Sequence, residues 1–303
     1  MNKEGSMNIS AAIGNIIASE APVVRFSEDE VALAMREYTA GELEEMKELG
    51  LLPDGFRTFF VIRRFCEEYG IDAIADAEYM LELYGQAKCL DTSAHKNDLY
   101  MKAVKFAPVR QGDVFLTYAE YGRGEIFQYD MPDMSRRLVV PKLGFYGDTV
   151  RFPALYEGNV PWVSVCPSEV NSMAPDIAAA HGRCLVLGLG LGYYAFMAAQ
   201  SPAVQSVTVV ENNPAVIDIF EKHLLPCFPC RDKIKVTKDD AVLYVASLRD
   251  GMYDFCFADI WEGVTDGAPL YESIRASASR LVHTEFRYWI EEQLLAYLGK
   301  SSV

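Results

Sequence analysis

The 303-residue chain is 50% hydrophobic, 23% charged and 12% aromatic, enough apolar material for one large core or for two domains. Its 28 Lys and Arg stand against 43 Asp and Glu, a formal net charge of −15 that repels phosphate backbones. That field argues against nucleic acid as a partner and suits a small neutral or cationic substrate. No run of about 18 apolar residues offers a membrane span. The weak apolar stretch with Ile13, Ile16 and Ile17, flanked by Glu4 and Glu20, does not read as a secretory leader, so a cytoplasmic address is expected.

Residues 1–106 read as helical. Thr39-Ala40-Gly41-Glu42 has the form of a capping box and opens a helix that stops at Gly50. Phe56, Phe59, Phe60, Ile62 and Phe65 recur at helical spacing, and a further helix is expected from Ala75 to Tyr84. Residues 107–178 change texture. Short runs such as Val114 to Tyr118 and Gly124 to Tyr129, split by Gly, Pro and Asp, predict a small β domain of hairpins. Its last strand is expected at Pro161 to Val165.

Residues 179–303 alternate strands with helices, the pattern of a parallel sheet with right-handed crossovers. Strands are expected at 183–187, 206–210, 233–237 and 253–258. Helices are expected at 193–200, 214–225 and 240–247, and the tail at 270–281 and 285–298 also reads helical. The fold class is therefore α/β, Rossmann-like, with a mostly parallel sheet cut short after the fourth or fifth strand. An open edge would have to be covered by the N-terminal parts or by a second copy in a homodimer.

Seven cysteines, an odd count, argue for reduced thiols. Cys227-Phe228-Pro229-Cys230 is a lone C-x-x-C without the two further ligands a zinc site requires, so no metal is expected.

The segment Leu187-Gly188-Leu189-Gly190-Leu191-Gly192 follows a buried strand and precedes the helix begun by Tyr193. Glycines there let the backbone turn and approach a ligand, and the helix start offers free N–H groups. Glu211, followed by Asn212, ends the next strand, where a carboxylate can accept from both ribose hydroxyls. The dinucleotide spacing is G-x-G-x-x-G; here it is G-x-G-x-G, with Tyr193 at the fingerprint position, which disfavours NAD. Asp239-Asp240-Ala241 follows the third strand, where an acidic side chain can meet the adenine amino group, although Asp240 is equally placed to cap its own helix. Asp259 ends the fourth strand.

On these motifs residues 182–262 resemble class I S-adenosylmethionine-dependent methyltransferases, and within that fold most resemble the spermidine synthase branch, which also places a small β domain before the nucleotide unit. The resemblance implies S-adenosylmethionine as cofactor, held by Gly188, Gly190, Gly192, Tyr193, Glu211, Asn212, Asp240, Ala241 and Asp259. It implies catalysis by Asp259, with Glu169 from the segment Pro167 to Met173 that occupies the place of a substrate-facing stretch. Spermidine synthases carry an Asp in the glycine loop where this chain has Leu191, but Asp259 and Glu262 keep the spacing of their D-x-x-D pair. The expected activity is methyl transfer to a small acceptor. Aminopropyl transfer and a non-catalytic nucleotide-binding protein are the alternatives.

Overall fold

The computed structural model describes residues 27–52, 54–71 and 77–299. The reading of the N-terminal stretch and the start at Ala75 of a helix lie outside those residues. The chain forms two compact units, one from Met1–His95 with Glu120–Arg151 and the other from Lys96–Ala119 with Phe152–Val303.

In chain order the first elements are α1 (Glu28–Met35), α2 (Ala40–Glu48), α3 (Phe56–Glu68), α4 (Ala77–Gln86), β1 (Lys88–Leu90), α5 (Thr92–Asn97) and α6 (Leu99–Ala103). Six strands follow: β2 (Val109–Gln111), β3 (Val114–Tyr121), β4 (Phe127–Asp130), β5 (Lys142–Tyr146), β6 (Val150–Glu157) and β7 (Val160–Ser164).

In the first unit Thr39 caps α2 with the expected box, its hydroxyl accepting from Glu42 N while the Glu42 carboxylate reaches back to Thr39 N. Phe56, Phe59, Ile62 and Phe65 of α3 bury one stripe with Tyr79, Met80 and Leu83 of α4 and Leu143 and Phe145 of β5. The expected β region splits between two sheets. Strands β1, β5 and β4 form one, in that order, with β1 parallel to β5; β2, β3, β6 and β7 form the other. The three-residue β1 carries too little pattern to be read from sequence.

The second unit continues with α7 (Pro167–Ala179), β8 (Gly182–Leu187), α8 (Tyr193–Gln200), β9 (Val204–Glu211) and α9 (Pro214–Ile219), which runs on as a single π turn at Phe220–Leu224. Then come β10 (Ile234–Lys238), α10 (Ala241–Ser247), β11 (Phe255–Ala258), α11 (Val264–Ala278), β12 (Glu285–Tyr288) and α12 (Glu291–Tyr297). The strands form one parallel sheet in the order β10-β9-β8-β11-β12. Chain direction across the sheet reverses between β8 and β11, and ligands of such sheets bind beyond the strand ends at that point.

Alternation along the central strands fills both faces, as a sheet covered on two sides requires. Leu185, Leu187, Cys256 and Ala258 pack with Tyr271 and Ile274 of α11 and Leu294 of α12. Phe257 points the other way and stacks on Tyr194 of α8, ring centroids 3.9 Å apart.

One expectation is corrected here. The tail 285–298 is not one helix: Glu285–Tyr288 is a fifth strand paired in register with β11, Phe255 opposite Glu285. The chain then turns at Ile290, whose φ is 49°, and only Glu291–Tyr297 is helical. The segment Pro167–Ala179 is a helix with Pro at its first turn, where its missing N–H costs nothing.

Candidate functional site

A cavity of about 340 Å³ opens at the carboxyl ends of β8, β9, β10 and β11, within the second unit. Its size is that of a small-molecule site. Gly188, with φ of 93°, turns the chain out of β8, and a Cβ there would collide with the Asp259 carbonyl oxygen. Gly192, with φ of 72°, caps α8, and a Cβ there would strike the Phe220 ring. Both positions therefore require glycine for packing as well as for conformation. Gly190 borders the cavity beside Val163.

Glu211 ends β9 and is only 8% exposed. One carboxylate oxygen accepts from Leu189 N at 3.1 Å and the other from Asn213 N at 2.8 Å. The side chain thus ties the glycine loop to the end of the neighbouring strand and still borders the cavity. Asn212, Asp239 and Asp240 stand exposed at the rim, and Ala241 lines the wall beside them. Asp240 caps α10 through Leu243 N at 2.9 Å, and Asp239 accepts from Asp240 N at 2.8 Å.

Asp259 and Glu169 both border the cavity, Asp259 at the end of β11 and Glu169 in the first turn of α7. Burial raises the Asp259 carboxyl to about 7. Burial first, and the Asp259 charge second, push Glu169 well above the usual carboxylate range; hydrogen bonds from the Ser164 N–H, at 3.4 Å, and from the Ser164 side chain oppose this. Both effects disfavour the charged form: the groups leave water, and like charges repel. Glu262 is exposed at the rim, whereas Asp266 is engaged in capping α11 through Glu262 N and Gly263 N.

Gly192 and Tyr193 do not line this cavity. Tyr193 donates its hydroxyl to Asp98 at 3.0 Å and packs on Tyr100, whose own hydroxyl donates to the Leu191 carbonyl at 2.7 Å. These contacts anchor the glycine loop to α6. Tyr193 and the buried Leu191 border a second space of about 40 Å³ shared with Glu169 and Asp259.

Sequence reasoning did not bring the three tryptophans together, nor find the serine that holds one of them. Trp162 on β7, Trp261 after β11 and Trp289 after β12 are all the tryptophans of the chain, and all three line this one cavity. Trp289 donates its indole N–H to the Ser172 hydroxyl at 2.9 Å, and that hydroxyl donates to the Glu169 carbonyl at 2.9 Å. A signal existed in the sequence: each tryptophan stands on a strand or within three residues of a strand end. The helical reading of 285–298 concealed the third.

Among the described residues no Lys, Arg or His lines the cavity, so the field of its lining is negative and selects against anions. Among the described residues no His, Cys, Asp and Glu group is placed to hold a metal ion. Cys227 and Cys230 reach instead toward the Lys105 carbonyl and Gln200. Among the same residues no helix is long and apolar enough to cross a membrane.

No protein-family model and no curated protein matches the chain. Among solved structures it is similar to a candidate O-methyltransferase from Klebsiella pneumoniae, at 16% identity and TM-score 0.28, over 35% of this chain and 48% of that one. It is also similar to a conserved hypothetical protein from Streptococcus pyogenes, at 21% identity and TM-score 0.27, over 32% of this chain and 59% of that one. A third similar structure is precorrin 8w decarboxylase from Methanobacterium thermoautotrophicum, at 20% identity and TM-score 0.32, over 43% of this chain and 71% of that one. The chain thus spans about half the length of the first of these.

Proposed function

We propose that the second unit binds S-adenosylmethionine and transfers its methyl group to a small acceptor. The observation that carries this reading is Glu211: a buried carboxylate at the end of β9, bonded to the glycine loop and open to a cavity at the reversal point of a parallel sheet. A nucleoside fits there, its ribose hydroxyls toward Glu211 and its adenine toward Ala241 and Val242. A sulfonium cation suits a cavity lined by carboxylates and tryptophans, through charge and through the faces of the rings. Bound there, S-adenosylmethionine supplies an already activated methyl group. The protein is left to orient the acceptor and to take its proton. Asp259 is the proposed proton acceptor, with Glu169 beside it.

Aminopropyl transfer is the second reading, favoured by Glu169, Asp259 and Glu262 on one cavity. Against it stands Leu191, apolar and buried where that family carries an acid.

Calorimetric titration with S-adenosylmethionine, its decarboxylated form, S-adenosylhomocysteine and NAD tests both. Methyl transfer predicts binding of the first and third, weakened at least tenfold by Glu211→Gln. Preference for the decarboxylated form would replace it with aminopropyl transfer. Binding of NAD alone would overturn both.

A further inference from the structure

Cys227-Phe228-Pro229-Cys230 has no part in the adenosyl site, yet it supports the loop on which that site depends. Cys227 and Cys230 are half-buried, whereas Cys166, Cys184 and Cys256 of the same unit are buried. Burial pushes the Cys184 thiol up to about 11, away from the reactive thiolate form. The Cys227 thiol meets the Lys105 and His223 carbonyls at 3.6 and 3.8 Å. Cys230 donates to the Gln200 side-chain oxygen at 3.6 Å, on a side chain whose amide nitrogen is buried without a partner. Thiols are weak donors, so neither sulfur is firmly held.

Between the two cysteines, Phe228 is buried. Its ring centroid lies 4.8 Å from Phe196, 5.4 Å from Phe220 and 5.9 Å from Tyr100. Two of these rings hold the glycine loop. A Cβ on Gly192 would strike Phe220, and Tyr100 donates to the Leu191 carbonyl. Phe220 also opens the π turn that leads toward Cys227, and such turns recur at functional positions. Phe228 is therefore a wedge beneath the loop. Its backbone is extended, with φ of −85° and ψ of 120°, the conformation that a following proline favours. Three residues apart, the Cα atoms of the cysteines span at most roughly 11 Å, and a disulfide brings such atoms to about 4.4–6.8 Å. Of the common turns, type II keeps its second residue extended but needs positive φ at the third, here Pro229, whose ring forbids it. Closing the bridge must then turn Phe228 out of its present conformation. A disulfide strained in this way is readily reduced, as regulatory disulfides are.

We propose that Cys227 and Cys230 form a redox-responsive clasp: a small-molecule disulfide converts the pair into an intramolecular disulfide, which withdraws Phe228 and releases the glycine loop. The effect on ligand affinity rests on the adenosyl-binding reading above, whereas the effect on the loop does not. With oxidised glutathione as the disulfide, one protein thiolate attacks it and forms a mixed disulfide, and one glutathione thiolate leaves. The second protein thiolate then attacks the protein sulfur of that mixed disulfide and expels the other glutathione. One S–S bond breaks in the oxidant and one forms in the protein. Two electrons pass to the oxidant, and the two thiol protons end on the two glutathione thiols.

The test treats the full chain with oxidised glutathione. Peptide mass mapping locates the bridge, hydrogen exchange reports residues 188–193, and calorimetry measures S-adenosylhomocysteine affinity. A bridge between Cys227 and Cys230 is expected, with residues 188–193 exchanging at least tenfold faster and affinity at least tenfold weaker, both restored by dithiothreitol. The double variant Cys227→Ser with Cys230→Ser is expected to match the reduced wild type within threefold, with or without oxidant. Should it fail to fold, Cys227→Ala with Cys230→Ala takes its place with the same expectation. A glutathione adduct or no reaction in place of the bridge, a bridge that leaves residues 188–193 unchanged, or the same loss in the double variant overturns the clasp. So does loss of protection throughout β8 and β11, which would mean that oxidation unfolds the sheet rather than releasing the loop. If S-adenosylhomocysteine does not bind the reduced chain, the adenosyl reading falls alone, and the exchange of residues 188–193 still decides the clasp.

Discussion

At the scale of single residues, the site combines positions that hold the fold with positions that oppose it, and mutation separates them. Glu211 does two jobs, closing the glycine loop and facing the cavity. Glu211→Ala leaves two backbone N–H groups without their acceptor, a cost of about 1–3 kcal/mol each. Glu211→Gln keeps one carbonyl acceptor, so it is expected to retain most of the stability while losing adenosyl affinity. A melting series on the two variants checks this; equal destabilisation would mean the carboxylate charge itself holds the loop. Asp259 is the opposite case. Its folded-state pKa lies above the ordinary value, so between 3.8 and about 7 the folded chain holds a proton that the unfolded chain has released. The Asp259 contribution to stability must then fall as pH rises through that window and level off above it, while Glu169, also raised, extends the fall beyond it. Asp176, raised to about 6 by burial, adds a slope of the same sign, so the informative quantity is the difference from a variant. Asp259→Asn stays neutral and relieves Glu169 as well. It is expected to exceed wild type by roughly 2–4 kcal/mol at pH 8 and to match it near pH 4. Thermal melts at the two pH values measure it, and a variant less stable than wild type at pH 8 would show that the carboxylate is charged and paired in the folded chain.

At the scale of elements, the end of the sheet decides how the cavity is closed. Strand β12 brings Trp289 to the cavity, and α12 buries Leu294 completely and Leu295 to 8% exposure, whereas Tyr297 is 56% exposed. Leu294→Ala is expected to cost about 2–5 kcal/mol and Tyr297→Ala well under 1 kcal/mol. Denaturant titration of the pair would detect any other register of this segment as a reversal of that order. The sequence could not separate this strand from the helix after it. Phe286, Trp289, Ile290 and Leu294 satisfy helical spacing, while Glu285-Phe286-Arg287-Tyr288 also alternates polar and apolar residues. Four residues are too few for the strand period to win. The break falls at Ile290, a β-branched residue in the left-handed region. That conformation is rare for such side chains, and no Gly or Pro marks it. By contrast α8 was legible to the residue, because Gly192 and Gln200 bound an apolar run between strands. The candidate site was legible where chemistry sits in consecutive residues: Gly188, Gly190, Glu211 and Asp259. It was obscure where distant elements supply the walls. Nothing local relates Trp162 to Trp289, or Ser172 to either; only the folded sheet brings them to one cavity. Tyr193 shows the converse, since a residue adjacent to the glycine loop borders not the main cavity but the small space beside it, its hydroxyl bonded to Asp98.

At the scale of the whole chain, two units with separate cores imply two sources of stability. Phe59, Ile62, Tyr79 and Leu83 belong to one core, and Leu185, Cys256, Tyr271 and Leu294 to another. The cavity, both acidic residues and all three tryptophans belong to the second unit. A ligand that binds the folded form alone stabilises it by mass action, by about 2.7 kcal/mol at a hundred times its dissociation constant. That gain reaches amides whose opening requires loss of the site, and local openings elsewhere keep their own free energies. Saturating S-adenosylhomocysteine is therefore expected to slow hydrogen exchange in β8, β9, β11 and α7 by roughly a hundredfold, the rate equivalent of that free energy. Amides of α2, α3 and α4 are expected to exchange at nearly their free rate. Calorimetric melts should in parallel show one transition moving upward with ligand concentration and another that does not, since a chain of two cores has no obligation to unfold in one step. Equal protection of both units would mean that they open together, and the chain would then have to be treated as a single cooperative body in which a substitution in α3 weakens the cavity as surely as one in α11.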